Sequence, residues 1–357
     1  MNILVSKLKM AILLRFRYHF IFHTTFIGAI NEKLYFCAML IINRESKDPY
    51  FNLATEEYLV KTLEEPCFML WQNTASVIIG KHQNPLREVN MDFLKKLQIP
   101  IIRRISGGGT VYHDLGNINY SFIDMGKAET LVNFAKYSQP IIDLLQKLDV
   151  DAQLVGKSDL KIDGKKFSGN ASHVYRNTVL HHGTLLYNSD LNILQESIKI
   201  NNTQIIDKAV NSNRSTVTNI SEHLQQDISL EKFRALLVAH IKNNFPEARF
   251  CSLSESQENK IKQLVEQKYK SWEWNFGYSP KYELISSLNI DHQQVKFKVQ
   301  VTKGFLRKIE SDGLLPTPLQ SALAMMIDKA HQENAIIETL ENQFPADIIS
   351  QVKSILF

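Results

Sequence analysis

Three consecutive glycines between a pair of arginines and a short alternating segment constrain this chain more than any other feature. The run reads Arg103-Arg104-Ile105-Ser106-Gly107-Gly108-Gly109-Thr110-Val111-Tyr112-His113-Asp114. Glycine permits positive φ and a close approach of the backbone, and successive amides in such a turn form an anion-binding concavity. Arginine adds fixed donors that fork onto phosphate or carboxylate oxygens. The run therefore predicts a site for an anionic ligand, with a glycine-rich hairpin and solvent-facing arginines as the alternative.

The segments on either side of the glycines read as β-strands. Apolar residues at 99, 101 and 102 precede the run, and residues 111–114 alternate in polarity after it. The glycines would then form a loop from one strand to the next. Neither the G-x-x-x-x-G-K-[ST] pattern nor a G-x-G-x-x-G that opens a helix is present, so a Walker or Rossmann nucleotide site is not expected.

Other segments upstream of the run predict a helix and two further strands. Asn52 is interpreted as the N-cap of a helix that carries Glu56 and Glu57 in its first turn. Cys67–Trp71 and Ser76–Ile79 read as two strands of the same sheet.

A second chemical element is the hairpin that Asp163-Gly164 predicts, because both positions of such a turn need positive φ. Counting outward from the turn gives the pairs Ile162 with Lys165, Lys161 with Lys166, Leu160 with Phe167, and Asp159 with Ser168. The period of two then gives an apolar face and a face that carries Asp159, Lys161 and Lys166. We interpret the polar face as a place for an anion between the lysines; the alternative is that both ammonium groups reach into water.

Further segments follow one another in order along the chain, at Asp48–Leu59, Ser76–Pro85, Asp114–Phe122, Gly164–Ala171, His181–Leu186 and Trp272–Gly277. Together with the glycine run they resemble the signatures of the lipoate-protein ligase A and lipoyltransferase family. The resemblance is strong over residues 39–255 and looser beyond them. It implies an α+β fold of the biotin/lipoate ligase type, with mixed and antiparallel sheets flanked by helices. It also implies a catalytic domain over residues 39–255 and a smaller α+β accessory domain over residues 256–357.

The resemblance implies an ATP-dependent ligase that forms lipoyl-AMP and transfers the lipoyl group to a lysine of an acceptor protein. The alternative is a transferase that uses preformed lipoyl-AMP or a lipoylated donor protein. Lys166 is the catalytic candidate, since an ammonium that touches both the acyl carbonyl and the α-phosphate would stabilise the charge that develops between them. The resemblance places the adenylate against Arg104, Gly109, Thr110, Val111, Tyr112, Lys166 and Asp159. Mg²⁺ is expected with ATP because it prefers phosphate and carboxylate oxygens.

Lipoate is a long apolar acid, so its site should be a narrow apolar channel with charge only at the mouth. Besides Lys166, the candidates for this channel are Val77, Ile79, His82 and Leu185. His181 and His182 invite a metal or general-base interpretation. Adjacent strand residues point to opposite faces, however, so they cannot form a joint ligand pair, and no protein metal site is expected.

The implied partners are lipoyl domains of 2-oxoacid dehydrogenase complexes and the glycine-cleavage H protein, with the ligase itself a monomer. A formal charge of +4 over 357 residues is too small to predict nucleic-acid binding. The cysteines, Cys37, Cys67 and Cys251, have no C-x-x-C spacing, which favours a reducing compartment. None lies in the motifs, which disfavours a cysteine-dependent octanoyltransferase.

Two more functions were compared with the ligase. A biotin ligase shares the architecture but normally carries a different arginine-glycine loop. A non-catalytic binding module would be expected to have lost Lys166 or the glycine run, and both are present.

Residues 1–38 carry five lysines and arginines against a single acid, Glu32, among large apolar residues. A mitochondrial presequence is one interpretation, although serine is scarce. A membrane anchor is another, although charges interrupt the apolar stretches well short of about 18 residues. We favour a third, in which the working protein starts near Met39 and acts in the cytoplasm without membrane contact.

Overall fold

The structure is a computed structural model that describes residues 39–126, 132–199 and 204–357, and within them the chain forms three β-sheets with helices packed against them. The strands are β1 (Leu40–Asn43), β2 (Cys67–Trp71), β3 (Ser76–Ile79), β4 (Ile101–Arg103), β5 (Val111–His113), β6 (Asn117–Met125), β7 (Ala152–Val155), β8 (Asp159–Ile162), β9 (Lys165–Tyr175), β10 (Thr178–Leu186), β11 (Gln204–Asp207), β12 (Arg249–Phe250), β13 (Tyr282–Ile290), β14 (Gln293–Thr302) and β15 (Phe305–Ser311). The helices are α1 (Pro49–Thr62), α2 (Pro85–Glu88), α3 (Met91–Lys96), α4 (Phe134–Lys147), α5 (Leu191–Ser197), α6 (Leu230–Asn244), α7 (Glu255–Leu264), α8 (Thr317–Met325), α9 (Glu333–Leu340) and α10 (Ala346–Leu356). The α+β class expected from the sequence is confirmed, and the predictions for residues 1–38 lie outside the described residues.

The largest sheet has eight strands in the order β12-β1-β2-β6-β10-β9-β8-β7. The first three are parallel to one another and the remaining neighbours are antiparallel. Helices α4 and α6 cover one face, where Phe68, Tyr120, Ile141 and Phe233 are buried in one cluster. Each large apolar side chain removed from water in this way contributes roughly 1.5–3 kcal/mol, so this face anchors the sheet.

A small sheet of order β4-β3-β5 and helix α1 cover the opposite face of the large sheet. Strand β3 pairs in parallel with β4 and antiparallel with β5, so the glycine run crosses from one edge of this sheet to the other. The prediction that β2 and β3 share a sheet is wrong. Strand β2 already has β1 and β6 on its two sides, which leaves no free edge for β3.

Helix α1 begins earlier than the sequence suggested. Asp48 is the N-cap, with its side chain accepting from the backbone N–H of Tyr50 at 2.9 Å. Asn52 lies inside the helix instead, fully buried, and donates to the carbonyl of Gln72 at 2.8 Å. Glu56 and Glu57 therefore lie beyond the first turn, where both are buried.

A separate antiparallel sheet, which we call the accessory sheet, has the order β11-β13-β14-β15 and shares an apolar core with α8, α9 and α10. Its first strand, β11, comes from residues 204–207, which precede the boundary that the sequence suggested at residue 255. Ile261, Val265 and Tyr269 pack in the cluster of α1 rather than in this core. Residues 261–269 therefore share a core with α1, and the expected boundary at residue 255 stays a prediction.

Arg103 joins strand β4 to the segment before the accessory sheet. It is fully buried, and its guanidinium donates to the carbonyls of Gly80, Lys81, Gln83, Trp274 and Asn275 and to the hydroxyl of Ser279. Burial lowers its pKa to about 10, which leaves the group charged at neutral pH. The sequence suggested a donor for an anionic ligand, but backbone carbonyls take its N–H groups.

Candidate functional site

A cleft between the large and the small sheet brings the glycine run and the Asp163-Gly164 hairpin together around a cavity of about 240 Å³. Six of the residues expected at an adenylate border it, namely Arg104, Gly109, Thr110, Val111, Asp159 and Lys166. The seventh, Tyr112, borders an adjoining cavity of about 760 Å³ that shares Thr110, Val111 and Lys166 with the first. The two chemical elements of the sequence therefore face one continuous space.

The glycine run needs glycine at particular positions. Gly108 has φ +86°, a conformation that costs other L-residues roughly 1–2 kcal/mol. A Cβ on Gly80, which follows β3 of the same small sheet, would lie 2.1 Å from the carbonyl oxygen of Gly108, so the two backbones pack directly. A Cβ on Gly107, in contrast, would meet no heavy atom within 4 Å.

Arg104 holds this loop from inside. Its Nη2 donates to the carbonyls of Gly107 and Gly109 at 2.6 and 2.7 Å, and its Nη1 donates to the carbonyl of Ile78 at 3.1 Å. Because a trans peptide points its N–H opposite to its C=O, the amide of Gly108 faces away from the guanidinium. Burial lowers the pKa of Arg104 to about 10. Arg104 thus orients backbone amides, and its contact with the anion of a ligand stays a prediction.

A directed chain of hydrogen bonds runs from Arg104 to a buried carboxylate. Arg104 Nε donates to Ser106 Oγ at 2.9 Å, and arginine has no acceptor, so the Ser106 proton is directed to His182 Nε2 at 2.7 Å. His182 Nδ1 then donates to Glu56 at 2.9 Å, and Ser121 donates to the same carboxylate at 2.6 Å. This network fixes the imidazole beside the cavity, and both of its nitrogens already have partners.

The two adjacent histidines lie on opposite faces, as the strand periodicity predicted. His181 packs among aromatic side chains, with its ring stacked on Tyr137 at a centroid distance of 5.1 Å. Burial lowers its pKa to about 3, so it is neutral. Within the described ranges, no group of three histidine, cysteine or carboxylate side chains is placed to hold a metal ion.

The hairpin turn is confirmed, with φ +48° at Asp163 and +75° at Gly164. The pairs Ile162 with Lys165 and Lys161 with Lys166 occur as expected, whereas Leu160 pairs with Ser168 and Asp159 with Gly169. The outer two predicted pairs are wrong because the register shifts by one residue at a bulge. Phe167 is the extra residue, and it is fully buried in the main core.

Both the side chain and the backbone of Lys166 make contacts that fix its position. Its Nζ lies 2.8 Å from Asp159 Oδ1, with both side chains about a quarter exposed. The same Nζ lies 3.0 Å from where a Cβ on Gly169 would be, so glycine there gives the lysine room. The backbone of Lys166 donates to Thr216 at 2.8 Å and accepts from Thr218 at 3.0 Å.

The segment 208–218, which we call the strap, connects the two halves of the site. Ser212 Oγ accepts from the backbone N–H of Thr110 at 2.8 Å and from Gln83 at 3.0 Å, and its hydroxyl donates to Glu88. The far end of the strap carries the threonines that bind the Lys166 backbone. Sequence reasoning missed the strap, since its Asn and Ser residues indicate a loop without indicating where it packs.

The structure does not bring the four further residues expected at an apolar channel to this cavity. Val77 and Ile79 pack with Tyr112 and Leu186 in a cluster on the other side of the small sheet, and Leu185 lies in the main core. His82 lies exposed in a turn. None of the four borders the cavity, because the alternation of β3 turns Ile78 toward it instead. Lining residues that were not among the candidates include the clustered apolar side chains of Leu53, Trp71 and Ile78 and the polar His113 and Asn119.

No helix in the described ranges combines the length and the apolar character that crossing a bilayer requires.

Comparisons with known proteins agree on one family. The model of the lipoyl protein ligase A/B catalytic domain matches residues 48–242. The lipoate-protein ligase LplJ of Bacillus subtilis is 36% identical over 312 residues, which cover 85% of this chain and 93% of the relative. Lipoate-protein ligase 1 of Staphylococcus aureus is 37% identical over 306 residues, with coverage of 84% and 93%.

Solved structures give a matching result. A putative lipoate protein ligase from Thermoplasma acidophilum with bound lipoic acid aligns with a TM-score of 0.58 at 25% identity, covering 67% of this chain and 98% of that one. A lipoate-protein ligase A bound with ATP aligns with a TM-score of 0.57 at 25% identity, covering 68% and 98%.

Proposed function

This chain belongs to the lipoyl protein ligase A/B family, and we propose that it activates lipoate with ATP to lipoyl-AMP and then transfers the lipoyl group to a lysine of an acceptor protein. One observation supports the proposal most strongly. A single cleft contains the glycine run, the ammonium group of Lys166 and an apolar end at Leu53, Trp71 and Ile78. An acid with a charged head and an apolar tail, together with a nucleotide phosphate, matches that distribution.

In the first step a carboxylate oxygen of lipoate attacks the α-phosphorus of ATP, and the bond to the bridging oxygen breaks as pyrophosphate leaves. Two anions must approach, so a fixed cation between them lowers the barrier. Asp159 Oδ1 lies 2.8 Å from Lys166 Nζ and holds the ammonium in the cavity, so the cation is in position before the substrates react. Removing one preorganised donor of this kind typically costs about 10²–10³-fold in rate.

In the second step the neutral amine of the acceptor lysine attacks the acyl carbon, AMP leaves, and the amine loses a proton. A free lysine has a pKa of about 10.4 and is mostly protonated at neutral pH, so only a minor fraction reacts. Because AMP is a good leaving group, positioning of the amine is the main demand on the protein.

We further infer the partners and the state in which the ligase acts. Mg²⁺ would enter with ATP, bound mainly by phosphate oxygens, as it commonly is. The acceptors would be lipoyl domains of 2-oxoacid dehydrogenase complexes and the glycine-cleavage H protein; an archaeal relative is described together with its E2 lipoyl domain. We infer that the ligase acts as a monomer in the cytoplasm.

The test is lipoate-dependent exchange of labelled pyrophosphate into ATP, followed by labelling of an acceptor domain. Lys166→Ala should reduce exchange about 10²–10³-fold while its circular dichroism stays that of the wild type. Lys161→Ala is the matched control, since Lys161 faces Lys166 across the hairpin but does not border the cavity. Full exchange in Lys166→Ala would overturn the proposed mechanism. Acceptor labelling from supplied lipoyl-AMP without any exchange would favour the transferase.

A further inference from the structure

Four cationic residues border the larger of the two adjoining cavities, which has a volume of about 760 Å³. They are Arg87, Lys166, Lys199 and Arg214. The first three each form an ion pair with a carboxylate, at N···O distances of 2.6, 2.8 and 3.1 Å. Arg214, which lies on the strap, has no ion pair with any residue that the structure describes. Its positive charge is therefore available to an anionic ligand.

The guanidinium of Arg214 lies beside the end of helix α5. Its Nη2 donates to the carbonyl of Ile198 at 3.3 Å, and Ile198 borders the same cavity. Within the described ranges this is the one hydrogen bond of an exposed side chain that carries five N–H donors. Most of the planar fork is thus left for a ligand, and its geometry matches phosphate oxygens.

The strap also brings Arg214 close to Lys166. Thr216, two positions after Arg214, accepts at 2.8 Å from the backbone N–H of Lys166. Both cations border the larger cavity, one from β9 and the other from the strap that is hydrogen-bonded to it. A ligand with two adjacent phosphates is the kind of anion that two neighbouring cations can bind together.

The direction in which a leaving group departs selects the larger cavity. The clustered apolar side chains of Leu53, Trp71 and Ile78 border the smaller cavity and not the larger one. Lys166 borders both. In phosphoryl transfer the attacking and leaving oxygens lie roughly in line on opposite sides of the phosphorus. With the acyl chain in the smaller cavity and the α-phosphate at Lys166, the leaving oxygen is therefore directed toward the larger cavity.

We propose that Arg214 binds the pyrophosphate that leaves when the acid is adenylated. This inference rests on the proposed function, because it assumes that ATP is the substrate and that Lys166 meets its α-phosphate. As the bond from the α-phosphorus to the bridging oxygen breaks, the electron pair stays on that oxygen and negative charge grows on the leaving group. Guanidinium N–H groups that donate to its oxygens stabilise this charge without a proton transfer. Arg214 thus acts in the first step only.

Two assays separate the steps. Arg214→Gln should lower lipoate-dependent exchange of pyrophosphate into ATP about 10- to 100-fold, as expected for a lost hydrogen bond to a charged group. The KM for pyrophosphate should rise and the KM for lipoate should not change. Labelling of an acceptor domain from supplied lipoyl-AMP should keep the wild-type rate, since no pyrophosphate takes part. Lys208→Gln is the matched control, because Lys208 is an exposed cation of the strap that borders neither cavity.

Exchange at the wild-type rate in Arg214→Gln would overturn the inference and leave the ligase intact. An equal loss in both assays would also overturn it, because Arg214 would then only maintain the shape of the strap. Exchange that is absent in the wild-type protein would instead remove the proposed activation step, and this inference with it.

If Arg214→Gln does not fold, chemical modification of the wild-type protein decides. Phenylglyoxal reacts with guanidinium groups, and mass spectrometry of peptides measures its rate at each arginine. Inorganic pyrophosphate should slow the modification of Arg214 relative to that of Arg176, which is exposed between β9 and β10. An unchanged ratio of the two rates would contradict the inference.

Discussion

Replacing Arg103 with methionine should destabilise the protein and loosen the segment before the accessory sheet. The carbonyls of Gln83 and Asn275 lose a buried donor at 2.7 and 2.8 Å. A buried polar group without a partner costs roughly 1–3 kcal/mol, which gives about 2–6 kcal/mol for the two. Removing a buried cation offsets part of this loss. The substitution leaves the backbone carbonyls in place without their donor, so the free energy of unfolding should fall by a net amount of about 2–4 kcal/mol.

Urea unfolding at pH 7, followed by circular dichroism and by tryptophan fluorescence, measures this change. Trp274 reports locally, because its Nε1 donates to the Arg103 carbonyl at 2.7 Å. Arg249→Met is the control, since that arginine is 60% exposed and pairs with Glu65 on the surface. Exposed pairs contribute about 0–1 kcal/mol, so the control should unfold near the wild type. A loss of less than about 1 kcal/mol in Arg103→Met, with the two probes still coincident, would refute the reasoning.

Three further predictions concern the loop, the strap and the buried carboxylate of α1. Gly107→Ala should leave pyrophosphate exchange nearly unchanged, whereas Gly108→Ala, at φ +86°, should lower it and cost roughly 1–2 kcal/mol in urea unfolding. Ser212→Ala should speed tryptic cleavage at the exposed Arg214 at least about fivefold, since each of the three hydrogen bonds lost at Ser212 Oγ is worth about 1 kcal/mol. Burial alone would raise the pKa of the Glu57 carboxyl, but hydrogen bonds from neighbouring lysines hold that pKa below 4.5. The ionised carboxylate therefore stabilises the fold above that pH, and this contribution is lost as the pH falls. Thermal melts from pH 7 to pH 3 should therefore show Glu57→Gln less stable at neutral pH and converging with the wild type in acid.

Local signals in the sequence predicted local structure well. The Asp163-Gly164 turn depends only on the φ preferences of two residues, so it could be recognised without knowing the rest of the fold. Beyond the first two pairs of the hairpin, the register depends on Phe167, which enters the main core and is an extra residue in β9. The hairpin sequence alone does not contain that tertiary contact.

The arginine pair shows a second limit. Phosphate oxygens and backbone carbonyls accept the same N–H donors, so the residue types could not distinguish an anion ligand from a structural role. Arg104 and Arg103 both bind carbonyls, one in the glycine run and the other at residues 80–83 and 274–275. The network of Ser106, His182 and Glu56 was missed for a related reason, since its members are 50 or more residues apart in sequence.

The strap also limits how far apart its two anchor points can lie. Four residue steps separate Ser212, which touches the glycine run, from Thr216, which binds the Lys166 backbone. An extended chain spans at most about 3.6 Å per residue, so this tether limits the two anchor points to about 14 Å apart. An insertion between them would lengthen the tether while preserving every side chain that faces the cavity. The spacing of the reacting groups thus depends on loop length as well as on residue identity.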